Sequence, residues 1–344
     1  MKFSIIIPVH NARGTLKTCL DSVFSSENKD LEVFIVDDAS TDESAQIVKN
    51  YPCKLITLEE NMGAASARNI GKDYAKGDIL VFIDSDVTIR KDTLDIIDKS
   101  FIENKELIAV TGIQSKDSPH KDFFSQYKSL YMNYIFKKCP KYVDFLHGSI
   151  IAVKKDYFLN FDETFKATDD TELGQRYKTL NKKILLNPEL EVIHLKRYNF
   201  RSIVKNDFSV PFWWTKSFML HKGYKDIFKK KRFAHARMSQ LLSIPISLLI
   251  LLFFMLGQNV AFKTAFFILL LVYMLLNFNF FAFLHRERGY LFLIKSAIFN
   301  YLDMLVMGLG ISVGFLIHTF KMGKNEITKQ RMHQLNKTIH YFLV

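Results

Sequence analysis

Short apolar runs alternate with amphipathic stretches along the first quarter of the chain. The runs are rich in β-branched residues and lie at residues 3–7, 31–36, 54–58 and 79–83, a pattern typical of buried parallel strands. Pro8 is expected to end the first run, because proline has no amide hydrogen for a strand ladder. The stretches between the runs, residues 15–25, 42–50 and 62–75, are predicted helices. This alternation predicts an α/β fold with a mixed, mostly parallel sheet and helices on both faces.

Polar clusters follow three of the predicted strands. They are His10-Asn11, Asp37-Asp38 and Asp84-Ser85-Asp86. The carboxyl ends of parallel strands meet at one edge of a sheet, and ligands bind in the crevice there. We therefore expect these side chains to share one site. From about residue 107 to residue 194 the alternation is less regular, and mixed strands with one or two helices are predicted.

The chain changes character after residue 195. Residues 196–237 contain 12 Lys or Arg against 2 Asp or Glu, which accounts for most of the net charge of +12, and they are rich in Phe and Trp. Basic and aromatic side chains together suit the headgroup layer of a membrane, so short interfacial helices are predicted for residues 196–238. A basic, solvated surface of a soluble domain is the alternative. Nucleic acid is the less natural partner, because this region adjoins long apolar stretches.

Three long stretches of low charge come next along the chain. Residues 239–262 and 264–284 contain no charged residue, and residues 296–320 contain only Asp303. About 20 apolar residues cross a hydrocarbon core, so at least two and at most four transmembrane spans are predicted for residues 239–320. The basic run at residues 229–232 predicts that the catalytic region lies on the cytoplasmic side of the cell membrane. The basic tail, residues 321–344, is expected there too, although a third span would place it outside. Either residues 290–320 form a hairpin or an interfacial helix with a re-entrant piece, or the positive-inside rule fails here.

The overall composition excludes two classes of protein. Apolar residues make up 49% of the chain and charged residues 24%, which excludes a disordered chain. Cys19, Cys53 and Cys139 are scattered and show no zinc-ligand spacing. They favour a reducing compartment over a disulfide-stapled fold.

Asp84 and Asp86 follow a wholly apolar run, where two close carboxylates repel each other and resist desolvation. A divalent cation such as Mg²⁺ or Mn²⁺ removes that penalty and bridges carboxylate and diphosphate oxygens. A helix N-cap with a turn explains the motif equally well by itself. Asp38 could accept the imide N–H of a uracil, although helix capping is the better explanation of that cluster alone.

Three further segments carry charged side chains of interest. Arg68 is the single cation in the small-residue segment 63–71, where glycines allow close approach to a sheet or a ligand. Asp169, Asp170 and Glu172 open a predicted helix, where the helix dipole favours negative charge and a carboxylate is also placed to act as a general base. His194 ends a strand-like run, and a metal-ligand role requires the fold to bring it near Asp86. No Gly-x-Gly-x-x-Gly follows a strand, so a nicotinamide or flavin site is not indicated.

Four of these segments, taken in order, resemble family 2 glycosyltransferases of the GT-A fold. They are residues 5–11, 36–40, 63–71 and 82–86. The resemblance covers about the first 195 residues and implies a GT-A catalytic domain over residues 1–195. It implies that the nucleotide sugar is bound by Pro8, Val9, Asn11, Asp38, Arg68, Asp84 and Ser85. It further implies that Mn²⁺ or Mg²⁺ is held by Asp86, His194 and Asp84, and that the base is Asp170 or its neighbour Asp169.

The chain departs from the family pattern in two places. Asp169-Asp170 stands where a Glu-Asp pair is usual, so either carboxylate is a candidate base. The Gln-x-x-Arg-Trp motif of processive synthases is missing, since Gln175-Arg176 sits too early and is followed by Tyr177. This departure favours transfer of a single sugar over polymer synthesis.

The function expected from the resemblance is inverting, metal-dependent transfer of one sugar from a nucleotide sugar, such as a UDP-sugar. The expected acceptor is lipid-linked, either a polyprenyl phosphate or a glycolipid of the cell envelope. One alternative is a soluble or polymeric glycan acceptor, with the spans serving only as an anchor. The other is a non-catalytic membrane protein that keeps the fold as a binding module.

Overall fold

The computed structural model describes residues 1–257 and 259–342, with side chains described except at 226, 228 and 321–342. The strands are β1 (Phe3–Val9), β2 (Leu31–Asp37), β3 (Lys54–Thr57), β4 (Ile79–Ile83), β5 (Val87–Thr88), β6 (Leu107–Gln114), β7 (Tyr142–Val143), β8 (Ile150–Lys154), β9 (Lys183–His194), β10 (Arg232–Phe233) and β11 (Ala236–Arg237). The helices are α1 (Leu16–Phe24), α2 (Ser44–Val48), α3 (Ala64–Tyr74), α4 (Thr93–Glu103), α5 (Phe123–Lys137), α6 (Asp169–Thr179), α7 (Phe200–Leu220), α8 (Tyr224–Lys230), α9 (Met238–Met255) and α10 (Val260–Phe342).

Nine strands of the described chain form one mixed sheet in the order β3-β2-β1-β4-β8-β6-β9-β5, with β7 paired to β9. The first four strands in this order are parallel, β8 is antiparallel to both its neighbours, and β6 and β9 are again parallel. Alternate residues of β1 enter different cores. Ile5 and Ile7 pack with α1 on one face, whereas Ile6 packs with α3 on the other. The predicted mixed, mostly parallel sheet with helices on both faces is confirmed.

The prediction that Pro8 ends the first strand is wrong. β1 continues to Val9, and Pro8 pairs with Val36 of β2. The pairing of β1 with β4 stops earlier, at Ile6 and Phe82. Proline is therefore tolerated, since β1 has a partner strand on one side only at this position. The other elements predicted for residues 15–83 end within two residues of the observed bounds.

The region after residue 195 contains the long helix α7 and the short helix α8, where only short helices were expected. Asn199 caps it by accepting a hydrogen bond from the Ser202 amide at 2.9 Å, and the Ser202 hydroxyl accepts one from the Asn199 amide in return. A glycine of α10 allows α7 to approach closely, since a Cβ added at Gly310 would lie 2.3 Å from the Phe208 carbonyl oxygen. The helix α7 is thus packed closely against α10.

Within the described residues, two helices are long and apolar enough to cross a membrane, namely α9 and the Val260–Phe320 part of α10. α10 breaks at Gly289, whose φ of 80° suits glycine, so it forms two arms that turn back on each other. Tyr273 of the first arm donates a hydrogen bond to Asn300 of the second at 2.6 Å. The first predicted apolar stretch therefore covers α9 and reaches residue 262 at the start of α10, and the other two fall in the first arm and the second arm. The side chains of the predicted basic tail, and residues 343–344, lie outside the described residues.

The helix α5 connects the sheet to these apolar helices. Its Tyr127 hydroxyl accepts a hydrogen bond from Asn300 of α10 at 3.0 Å, and its aromatic face packs against Phe280 and Phe299. Residues of α5, α9 and α10 therefore form one apolar core. The boundary predicted at residue 195 stays a prediction, because α5 lies before it and packs against helices on its other side.

Candidate active site

Arg68 joins three segments that are distant in sequence. Its side chain is 6% exposed, and its two terminal nitrogens donate to Asp84 Oδ1 and Asp169 Oδ2, each at 2.7 Å. The start of α3, the end of β4 and the start of α6 meet at this guanidinium. Burial raises the pKa of Asp84, an effect that Arg68 opposes and Asp86 reinforces. The positive charge thus lets acidic groups gather at one place despite their mutual repulsion.

The two candidate bases have different surroundings. Asp169 is ion-paired with Arg68, whereas Asp170 accepts backbone hydrogen bonds from Gly148 at 2.7 Å and Thr171 at 2.6 Å. Burial first, and then the charge of Asp169, raise the pKa of Asp170 to about 7. A carboxyl group that titrates near neutral pH and faces a cavity suits general base catalysis. The geometry therefore favours Asp170 over Asp169 for that role.

The antiparallel pairing of β5 with β9 places His194 opposite Val87. As a result His194 Nε2 lies 3.9 Å from Asp86 Oδ1. The fold therefore brings His194 near Asp86, as a metal-ligand role requires. These two side chains have donor atoms that Mn²⁺ and Mg²⁺ accept.

The third predicted metal ligand, Asp84, is turned towards Arg68 instead. Among the residues that the structure describes, no three His, Cys, Asp or Glu side chains are arranged to hold an ion. Asp86 and His194 are therefore two candidate ligands, and their assignment to a metal stays a prediction. The assignment of Asp84 to the metal stays a prediction.

Asp38 is 3% exposed and has a role that neither sequence alternative anticipated. Its carboxylate accepts the backbone amides of Met62 at 2.7 Å and Gly63 at 2.8 Å, so it fixes the loop that leads into α3. Gly63 has a φ of 93°, a conformation that side chains other than glycine rarely adopt. The contact holds α3, and with it Arg68, in place. The uracil contact predicted for Asp38 stays a prediction.

The remaining residues predicted to bind nucleotide lie at the same sheet edge. Pro8 and Val9 are buried at the end of β1, and Ser85 is partly buried between the two aspartates. Asn11 is exposed, and its side-chain oxygen accepts the Thr41 amide at 2.8 Å. The structure thus places these four residues around the end of β1 and the end of β4.

A cavity of about 290 Å³ opens beside the candidate base. One end is lined by Asp84, Asp170 and His194, and the other by Ile244 and Met307 of the apolar helices. It therefore runs from the acidic cluster to the helices that could cross a membrane. Its volume is close to the lower limit of ligand pockets, about 300 Å³.

Sequence reasoning missed most of the cavity wall. His147, Gly148 and Ser149 stand directly before β8 and line the cavity. In a parallel sheet site residues come after strands, yet β8 is antiparallel to β4, so its amino end lies at the edge where β4 ends. To predict these residues one must know the direction in which β8 runs, and the local sequence pattern does not reveal that direction.

Comparison with known proteins identifies the domain. Residues 4–161 match the model of glycosyl transferase family 2. This match assigns residues 4–161 to a family 2 glycosyltransferase domain. The mannosyltransferase PcManGT from Pyrobaculum calidifontis, solved in complex with GDP-Man and Mn²⁺, has the same fold, with a TM-score of 0.59 at 18% identity. That similarity covers 93% of this chain and 87% of the mannosyltransferase, so it extends beyond the glycosyltransferase domain.

Two curated relatives are similar over longer segments than the family model covers. Glycosyltransferase GlyA of Streptococcus pneumoniae is 29% identical over 215 residues, which is 57% of this chain and 31% of the relative. Poly(ribitol-phosphate) beta-N-acetylglucosaminyltransferase TarS of Staphylococcus aureus is 30% identical over 192 residues, 49% of this chain and 31% of the relative. The matches thus span about a third of the length of these relatives. The predicted family and the GT-A fold are confirmed.

Proposed function

We propose that the protein is a membrane-anchored inverting glycosyltransferase that moves one sugar from a UDP-sugar to a lipid-linked acceptor. The observation that carries the proposal is the cavity that joins Asp170 to the apolar helices α9 and α10. A lipid that lies among these helices would reach the candidate base without leaving the protein. The catalytic domain lies on the cytoplasmic side in this proposal.

Exposed apolar side chains support the membrane anchor. Leu252 and Phe254 of α9 and Phe267, Leu271 and Leu275 of α10 are each between 47% and 68% exposed. Core helices of soluble proteins bury such side chains, and soluble proteins rarely expose large apolar patches. A hydrocarbon environment accounts for this surface.

The cytoplasmic orientation rests on the basic run at residues 229–232. Two of its cations also have a structural role, since Lys230 and Arg232 contact the Asp144 carboxylate at 2.8 and 3.1 Å. Lys229 and Lys231 are exposed a few residues before the start of α9. Basic residues next to a span favour the cytoplasmic side.

The proposed reaction is a direct displacement at the anomeric carbon. Asp170 removes the acceptor proton as the acceptor oxygen attacks, and the nucleoside diphosphate departs with the electron pair of the broken bond. A divalent cation, when bound by Asp86 and His194, would neutralise charge on the departing diphosphate. Arg68 keeps Asp84 and Asp169 in place beside this site.

The test is transfer by the detergent-purified full chain. Radiolabelled nucleotide sugars are supplied singly, with Mn²⁺ or Mg²⁺ and extracted native lipid, and the lipid products are analysed by mass spectrometry. We expect a lipid that has gained one sugar, and we expect Asp86→Ala to abolish turnover. The exposed variant Asp73→Ala on α3 serves as the matched control. An Asp86→Ala protein as active as the wild type would defeat the proposal.

A glycan acceptor is the second candidate, because the relative TarS is named as a transferase to poly(ribitol-phosphate). Soluble sugars and polymeric glycans are therefore added to the same assay. Transfer to a soluble acceptor at a rate equal to that with lipid would favour this alternative, with α9 and α10 as an anchor only.

A further inference from the structure

The cavity beside Asp170 changes character along its length. Near the candidate base it is lined by carboxylates and His194, and its wall also includes uncharged polar groups such as Gln114, Ser149 and Asn206. At the far end it is lined by apolar side chains of α9 and α10. These are Leu241, Ile244, Met304, Met307 and Ile311. A ligand with a polar head and an apolar tail matches this order of surfaces.

The charges along the wall do not suit a phosphate. Among the described residues that line the cavity, Lys128 is the only lysine or arginine, whereas three residues are aspartates. The Lys128 ammonium is buried and forms an ion pair with Asp207, and the Asp303 carboxyl faces the same pair. The one cation is thus already balanced. A phosphate head placed here would find no unpaired cation among the described lining residues and would lie beside the Asp170 carboxyl group, so its desolvation would be costly.

The uncharged polar part of the cavity wall suits hydroxyl groups instead. Burial lowers the pKa of His147 and of His235 to about 3, so both imidazoles are neutral at physiological pH. A neutral imidazole donates at one nitrogen and accepts at the other, as a hydroxyl or an amide does. Such groups bind the hydroxyls of a sugar or a polyol without adding charge.

The candidate base, Asp170, gives an independent reason to expect a hydroxyl acceptor. A hydroxyl nucleophile must lose a proton during attack, and Asp170 is placed to take it. A phosphate acceptor is already ionised at neutral pH and needs no base. A buried carboxyl group beside the acceptor cavity can therefore act as the base for a hydroxyl acceptor, whereas a phosphate acceptor does not require one.

We infer that the acceptor is a lipid with an uncharged, hydroxyl-bearing head group, and that this hydroxyl is the nucleophile. The inference rests on the proposed function. The acceptor oxygen forms a bond to the anomeric carbon as the bond from that carbon to the diphosphate oxygen breaks. The diphosphate takes the electron pair, and the hydroxyl proton passes to the Asp170 carboxylate.

The test uses the full chain in an alkyl dimethylamine oxide detergent, which has no hydroxyl group, since alkyl glycoside and polyoxyethylene detergents themselves carry hydroxyl head groups. Dioleoylglycerol, monoglucosyl dioleoylglycerol and a polyprenyl phosphate are supplied in separate mixed micelles, with the radiolabelled donor that supports turnover. We expect at least tenfold faster transfer to one of the two hydroxyl lipids than to the polyprenyl phosphate. The product should resist mild acid, which cleaves glycosyl phosphates.

An acid-labile product on the polyprenyl phosphate would overturn the inference and leave the proposed function intact. Transfer to none of the three lipids, nor to extracted native lipid, would defeat both. The two failures are therefore distinguishable.

A pair of variants tests the path of the lipid tail. Met307→Trp fills the apolar end of the cavity, and Leu309→Trp adds the same bulk on the exposed face of the same helix. We expect Met307→Trp to raise KM for the hydroxyl lipid about tenfold. Leu309→Trp should leave this KM unchanged. Equal KM values in the two variants would overturn the placement of the tail.

Discussion

The titration of Asp170 offers the sharpest test of the candidate site. Its pKa of about 7, against an ordinary value of 3.8, means that the folded protein shifts the balance towards the neutral form by about 4 kcal/mol relative to a carboxyl group in water. A base must be ionised to accept a proton, so activity is expected to rise with pH. One pH unit below the pKa, about one tenth of the protein holds Asp170 ionised.

The assay is kcat/KM for the acceptor between pH 5 and pH 9, because this ratio reports the pKa values of the free enzyme. We expect a plateau above about pH 8 and a tenfold fall for each pH unit below about pH 7. An ordinary carboxyl would place this fall near pH 4. A rate that stays constant from pH 5.5 to pH 8 would refute the reasoning.

Two variants assign the titration to its group. Asp170→Asn should lower kcat by about 10²- to 10⁴-fold and remove the acidic fall. Asp169→Asn removes the neighbouring charge that raises the pKa of Asp170. It should therefore keep the acidic fall but move it to lower pH. An acidic fall at an unchanged pH in Asp169→Asn would contradict the electrostatic explanation.

The stability of the fold should fall as pH rises, whereas the activity should rise. Because the folded-state pKa of Asp170 lies above its ordinary value, its ionisation destabilises the fold, and this loss grows as pH rises from about 4 to about 7. Asp170→Asn should consequently raise Tm more at pH 8 than at pH 5.5. Equal changes in Tm at both pH values would count against a buried, ionised carboxylate.

Three further predictions concern the support of the site. Arg68→Met leaves Asp169 buried without its cation and should destabilise the protein by about 3–5 kcal/mol, with a smaller loss of thermal stability for Arg68→Lys. Gly174→Ala places a Cβ 2.4 Å from Phe145 Cα and should cost about 1–3 kcal/mol in thermal unfolding, whereas Gly14→Ala, which meets no atom within 4 Å, should be neutral. Chelation by EDTA should stop sugar transfer, and Mn²⁺ or Mg²⁺ in excess should restore it; full activity in EDTA would contradict metal dependence.

Much of the glycosyltransferase domain could be predicted from local pattern. Apolar runs and amphipathic stretches located the first four strands and three helices to within two residues. Asp84 and Asp86 were selected by their position directly after an apolar run. The isolated charge of Arg68 singled it out in the sequence, but its two carboxylate partners were not foreseen.

Other features depend on contacts that no local pattern contains. The role of Asp38 depends on amides 24 and 25 residues away, and the pairing of Arg68 with Asp169 spans 101 residues. Lys128 of α5 and Asp207 of α7 meet in the cavity wall because these two helices pack against each other and against α10. Residue types suggested charge at these positions, but not which charges would neutralise one another.

The sequence alone determined the order of strands and helices, the acidic strand ends and the apolar stretches, because each is a property of consecutive residues. Tertiary structure alone decided that β8 runs antiparallel to β4, which brings Gly148 to the candidate base. It also decided that Asp169 is paired with Arg68 while Asp170 faces the cavity. The physical reason is that burial and pairing, which set the charge state of a carboxyl group, are defined by neighbours in space.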